Sequence, residues 1–174
     1  MINSTVNELR KKSDAARDRI GRQVDGMAPH LDRVPAAGEW SVRQVLCHLL
    51  FEPGFDAVAL LGTFAPRDLP VVEVVPGQVT VTAERARMTL PELVGALDAQ
   101  RESVFAYLQT LDEAGLAAKA RIPIFESLVG TDEITVAIFV GVLFDRHWNA
   151  HADQLGQIRR AVGLPEAEYT SSAA

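Results

Sequence analysis

The sequence predicts an all-α fold built on four long helices. Three observations point there. Apolar residues recur at steps of three and four over long stretches near both ends of the chain. Two cap signatures, Ser41 with Gln44 and Thr89 with Glu92, mark helix starts in the middle of it. The β-branched runs are short and sit in one proline-punctuated stretch, too broken for a sheet.

The first helix is predicted over residues 3–31. Val6, Leu9, Ser13, Ala16, Ile20, Val24, Met27 and Leu31 form one stripe, with Arg and Asp on the opposite face. Pro35-Ala-Ala-Gly38 reads as a loop. A second helix begins at Ser41, whose hydroxyl can accept from the Gln44 amide while Gln44 reaches back. Val45, Leu46, His48, Leu49 and Glu52 follow, until Pro53-Gly54 interrupts the pattern. That proline removes an amide the helix needs, so a kink or break is expected before the pattern resumes at Phe55, Val58, Ala59 and Leu61. Residues 64–83 read as a long excursion with short extended pieces around Pro66, Pro70, Pro76 and Gly77. The third helix begins at Thr89, tolerates Pro91 in its first turn, and carries Leu93, Leu97, Val104 and Leu108 on its apolar stripe. Residues 110–131 form a second connection. The last helix is expected from about Asp132 to Val162, stopped by Gly163-Leu-Pro165. Its first half, ITVAIFVGVLF, is apolar on nearly every side and is expected to be buried all round.

With 174 residues the chain suits one domain, expected over 1–165, with 166–174 as a frayed tail. The hydrophobic fraction is 48% and the charged fraction 23%, ordinary for a globular protein with its own core. Net charge is −6, and an acidic surface repels phosphate backbones, so nucleic-acid binding is disfavoured. A single cysteine, Cys47, excludes an internal disulfide and suits a reducing compartment. The N-terminus lacks the apolar core of a signal peptide. The longest apolar run, Ile134 to Phe144, is about half what a membrane-spanning helix needs. A cytoplasmic protein without a membrane partner is expected.

The chemistry concentrates in the histidines, of which there are four. His147 and His151 lie four residues apart, so on a helix their rings point within roughly 40° of each other. Phe144, Trp148, Leu155 and Ile158 share that side, so both rings are expected to face the bundle interior. Buried imidazoles need partners for both ring nitrogens, and a shared metal supplies one on each. Alone, the pair reads better as two partly buried histidines satisfied by local hydrogen bonds. His48, on the second helix among Val45, Leu46 and Leu49, is also expected to face inward. Three protein ligands with an open fourth position is the pattern of catalytic rather than structural zinc. His30 lies in an Ala-Pro-His-Leu turn and reads as a loop residue. No His-Glu-x-x-His, no Glu-x-x-His and no second cysteine exist, so the zinc-peptidase helix, the di-iron bundle and the cysteine-rich zinc site are set aside.

EWSVRQVLCHLLFE, residues 39–52, resembles the Trp-Ser…His motif on the second helix of DinB/YfiT-like proteins. FDRHWNAHADQLGQIRR, residues 144–160, resembles their C-terminal His-x-x-x-His helix. The resemblance implies an up-down-down-up four-helix bundle with one long crossover, here 65–88, often in a homodimer. It implies a divalent metal on His48, His147 and His151, zinc or nickel foremost, with iron or manganese also found. Members of known activity transfer or use low-molecular-weight thiols, among them bacillithiol S-transferases and mycothiol-dependent maleylpyruvate isomerases. A metal-dependent enzyme using such a thiol on an electrophilic small molecule is therefore expected, either as a transferase or as a hydrolase. The alternative is a non-catalytic, stress-associated or small-molecule-binding member. Pro53-Gly54 departs from the family pattern beside His48.

Glu52, four residues past His48, is a candidate general base, acceptor or extra ligand, although a solvated glutamate beside the break is the simpler reading. Asp145 and Asp153 point away from the histidines. Asn149 and Gln154 are candidate pocket polars. Cys47 reads as a small buried hydrophobe, and Trp40 and Trp148 as core or staple residues.

Overall fold

The computed structural model describes residues 4–75, 77–165 and 167. The tail expected at 166–174 thus lies, but for Ala167, outside the described residues. Four helical segments make the bundle: α1 (Ser4–Val24), α2 (Val42–Leu49), α4 (Leu90–Leu108) and a C-terminal helix. The last consists of α7 (Val136–Gly141), a π-helical turn (Val142–His147) and α8 (Trp148–Ala161). Between them lie α3 (Ala57–Gly62), α5 (Glu113–Ala117) and α6 (Phe125–Val129).

Side-chain pairings give the helix directions. Leu9 meets Gly141, Arg19 meets Asn149 and Asp153, and Gln23 meets Gly156, so α1 and the C-terminal helix run parallel. Arg10 pairs with Glu102 and Arg17 with Asp98, so α1 and α4 run antiparallel. Arg43 donates to the Met88 carbonyl and Gln100 to the Leu49 carbonyl, so α2 and α4 run parallel. The topology is up-down-down-up. Parallel neighbours cannot be joined by a tight turn, so the chain must travel back along the bundle between α2 and α4. The long crossover is that return path.

Both cap signatures form as expected. Ser41 N–H donates to Gln44 Oε1 at 2.8 Å, and Gln44 N–H to Ser41 Oγ at 3.3 Å. Thr89 N–H donates to Glu92 Oε2 at 2.7 Å, which is returned by Glu92 N–H to Thr89 Oγ1.

Four elements differ from expectation. The first helix stops at Val24 rather than at 31. Gly26, at φ +72°, turns the chain into a short 3₁₀ turn, Ala28–His30, yet Met27 and Leu31 stay buried. The second helix ends at Leu49, because Leu50 is already extended (ψ 138°), four residues before Gly54. The connection 110–131 is not featureless. It holds α5, α6 and strand β1 (Lys119–Arg121), which pairs antiparallel with β2 (Glu133–Thr135). The last helix therefore starts at Val136 rather than at Asp132: Ile134 and Thr135 are spent on the ladder, and Thr135 caps the helix through Ile138 N–H. Its apolar first half is not buried all round. Val136, Phe139 and Val140 are buried, Val142 and Leu143 half-buried, and Ile138 exposed.

The crossover itself supplies the expected extended pieces. Ala65 forms an antiparallel bridge to Lys119 and Val71 a parallel one to Arg121. Two arginines fasten its far part. Buried Arg43 pairs with Asp32 and donates to the Arg85 and Met88 carbonyls. Arg85 donates to the Thr80 carbonyl at 3.1 Å and to the Phe51 carbonyl. Guanidinium groups thus satisfy carbonyls that irregular chain would otherwise leave unpaired. No helix among the described residues is long and apolar enough to cross a membrane.

Candidate metal centre

The three histidines come together. His48 projects from the last turn of α2, His147 from the end of the π-helical turn and His151 from the first turn of α8. One ligand nitrogen from each lies within 4.8 Å of the others. Ring centroids are 5.0 Å apart for His48–His147 and 4.6 Å for each pair involving His151. The rings cross at steep angles, 63° to 88°, as they would around one ion rather than in a stack.

Hydrogen bonds at the outer nitrogens orient two of the rings. His48 Nδ1 donates to the Gln78 carbonyl at 2.6 Å, and His151 Nδ1 donates to Gln154 Oε1 at 2.8 Å. With those protons on Nδ1, each Nε2 presents its lone pair to the centre of the cluster. His48 Nε2 lies 3.0 Å from His147 Nε2. Two imidazoles on one tetrahedral ion, bound at roughly 2.0–2.1 Å, hold their nitrogens about 3.3 Å apart. The donor set, spacing and outer-nitrogen partners therefore fit a divalent metal. Without one, His147 Nε2–H can donate to His48 Nε2.

Electrostatics favour neutral rings. Burial, reinforced by the neighbouring His151 and His48, pushes the His147 pKa from 6.5 down to about 3. His151 is lowered for the same first reason, burial, against the opposing hydrogen bond from Gln154. Neutral imidazole is the form that ligates metal, so neither site has to shed a proton near neutral pH.

A cavity of about 550 Å³ opens beside the cluster. His48, His147 and Gln78 line it, together with the chain after α2, the crossover, α6 and the C-terminal helix. Glu52 lines it too, half-buried. It does so from irregular chain, because α2 ends at Leu49; helical phase does not place it over His48.

The other residues singled out in the sequence divide. Gln154 is part of the cluster. Asn149 is not: it accepts from Arg19 and donates to Asp145, on the α1 side. Asp153 pairs with Arg19, also away from the rings. Cys47 is fully buried, and burial pushes its thiol pKa up, which makes it an inert hydrophobe. Trp148 is fully buried core. His30 sits half-buried in the 3₁₀ turn.

Sequence reasoning missed two contributors. Trp40 stacks on His151 (interplanar 7°, centroids 6.0 Å) and tilts against His48 at 4.9 Å, so it walls two of the three rings. Its position just before the Ser41 cap was the available signal, since that residue folds back over the first turns of the helix. The Gln78 carbonyl left no signal, because a backbone acceptor is independent of side-chain type.

A family model of the DinB superfamily matches residues 12–145. The chain belongs to that superfamily. The match includes His48 and stops just before His147 and His151, which the fold brings to it. Among solved structures, the chain is similar to YfiT from Bacillus subtilis, described as "a probable metal-dependent hydrolase with an unusual four-helix bundle topology". The likeness has a TM-score of 0.60 at 17% identity and covers 95% of this chain and 92% of that one. No curated protein matches the sequence.

Proposed function

We propose that this protein is a divalent-metal-dependent enzyme that transfers, or uses, a low-molecular-weight thiol on an electrophilic small molecule, with His48, His147 and His151 as the metal ligands. The observation that carries the reading is the orientation of the rings: two outer nitrogens are occupied by Gln78 and Gln154, and all three rings meet within 4.8 Å. A bound divalent ion supplies Lewis acidity and makes a coordinated thiol or water far more acidic than it is free in water. Three neutral imidazoles cancel none of the ion's charge, so this ligand set keeps that effect large. Imidazole suits zinc and nickel first, and iron or manganese also.

The chain's own residues do the rest. Trp40 holds the His48 and His151 rings in place from one side. The cavity beside His48 and His147 is lined mostly by apolar side chains, so a substrate seated in it displaces water from beside the reacting atoms. Glu52, which lines that cavity, is the candidate to take a proton from an incoming nucleophile. A hydrolytic variant of the same chemistry, with water in place of the thiol, draws support from the likeness of fold to YfiT.

The test begins with protein purified without a nickel column. About one equivalent of divalent metal is expected, with turnover of electrophiles that depends on added thiol and falls at least ~100-fold in His147→Ala. Turnover without thiol selects the hydrolytic variant. Absence of metal at any stoichiometry, with no loss of stability in chelator, removes both.

A further inference from the structure

We infer that the cavity beside the histidines receives an uncharged hydrocarbon arm of the substrate, with the reacting group at the histidine end and the arm running along the C-terminal helix. The identity of the reacting end rests on the proposed function; the arm rests on the cavity alone.

Three observations carry it. First, the lining separates along the C-terminal helix. His147, joined to His48, and Phe139, stacked on Phe125, both line the cavity. Phe139 precedes His147 by about two turns, so the apolar pair lies on the order of 10 Å from the histidine along the helix axis. Second, the mouth keeps apolar side chains in water. Phe55 is 44% exposed, Val74 39%, Val75 64% and Leu128 39%. Exposed apolar groups around a concave site mark a ligand surface. A flat protein partner would cover this rim but would not reach the stacked Phe125–Phe139 wall inside. Third, the charged groups lining the cavity are Glu52, Glu73 and Arg146. Two carboxylates against one guanidinium disfavour an anionic arm. The Arg146 guanidinium is moreover engaged by the Leu128 carbonyl at 2.5 Å. Apart from these three charged groups and Gln78, the side chains lining the cavity away from the histidines are apolar, which offers a sugar or peptide arm few hydrogen-bond partners.

The experiment uses two probe series on the full chain. Straight-chain n-alkyl hydroxamates are titrated into zinc-loaded protein, and n-alkanols of matching length into metal-free protein. Affinity is expected to rise about fourfold per methylene in both series until the cavity is full. Ile124→Trp, which fills the far end, should stop the rise at shorter chains. Val74→Asp, at an exposed rim position that tolerates substitution, should flatten the slope. A slope with alkanols but no tighter binding of hydroxamates supports the cavity and sinks the metal reading. Tight, metal-dependent hydroxamate binding with no chain-length slope does the reverse and overturns this inference. A Val74→Asp variant that leaves the slope intact but changes the molar mass by light scattering supports the arm inside the cavity and assigns the exposed rim to a second copy of the chain.

Discussion

The bundle has two seams of opposite character. Along α1 the side-chain pairs that flank the apolar stripe and reach α4 and the C-terminal helix are ionic: Arg10–Glu102, Arg17–Asp98, Arg101–Asp14 and Arg19–Asp153, all at 2.5–2.9 Å. Along the facing seam, α2 meets the C-terminal helix through three imidazoles, and no ion pair is found there among the described residues. On the first seam each guanidinium has its carboxylate, and its work is done once the helices are docked. On the second, one ligand nitrogen from each of three imidazoles lies within 4.8 Å of the others, a spacing that fits a bound ion. Charge satisfied within the chain is architecture; donor capacity left over is a ligand site. The cavity lies on the second seam, where the crossover supplies part of the wall beside α6 and the C-terminal helix.

The comparison is broken most directly by adding divalent metal. Zinc or nickel at about 100 times its dissociation constant should stabilise the fold by about 2.7 kcal/mol. For a chain of this size that is a rise in Tm of about 5–10 °C by calorimetry. His48→Ala or His151→Ala should abolish the rise. Arg10→Ala on the other seam should leave it intact. A metal-induced shift that survives His48→Ala would place the ion elsewhere.

Much of this contrast was legible in the sequence. Helical periodicity and two cap signatures located α1, α2 and α4, because local hydrogen bonds at Ser41 and Thr89 depend on residues three apart. The step from His147 to His151 put both rings on the buried side of one helix. What failed were the features set by distant chain. Ile134 and Thr135 are β-branched and compatible with either state, and pairing with Lys119 and Ala120 decided for a strand. Glu52 was placed by helical phase, but α2 ends before it. The π-helical turn Val142–His147 left no residue-type signature; it adds a residue to the turn just before the ligands, a device recurrent at functional sites. The apolar stretch around it looked buried all round because sequence does not distinguish a core face from a face that lines a cavity.

The second prediction sharpens the contrast through protons. His147 titrates near 3 in the folded, metal-free protein and near 6.5 unfolded, so the unfolded chain binds more protons between those values. Its stabilising contribution is complete above about pH 6.5 and is lost as pH falls toward 3. At pH 5 the loss is at most about 2 kcal/mol. Chemical denaturation of metal-free protein at pH 7.5 and pH 5 measures it, and His147→Gln should remove a large part of the difference. An equal pH dependence in that variant would mean that the carboxylates of the ionic seam, not the imidazoles, govern acid sensitivity.

The smallest effect belongs to the ionic seam itself. Glu102 is half exposed, and its pairing with Arg10 is bidentate and continued by Arg101. The Arg10 hydrogen bond first, then its charge and that of Arg101, holds the Glu102 carboxyl below the usual carboxylate range. Exposed pairs contribute roughly 0.2–1 kcal/mol, and salt screens them. Arg10 adds a second contact, its guanidinium 4.7 Å from the Phe105 ring centroid. Arg10→Met keeps much of the apolar stem while removing the charge, so it should cost under about 1 kcal/mol in low salt and less at 1 M salt. Glu102→Gln should fall in the same range, and neither should alter metal uptake. A loss above about 2 kcal/mol, or a change in metal affinity, would show that the two seams are coupled through α1, and that the metal site depends on ionic docking some distance from it.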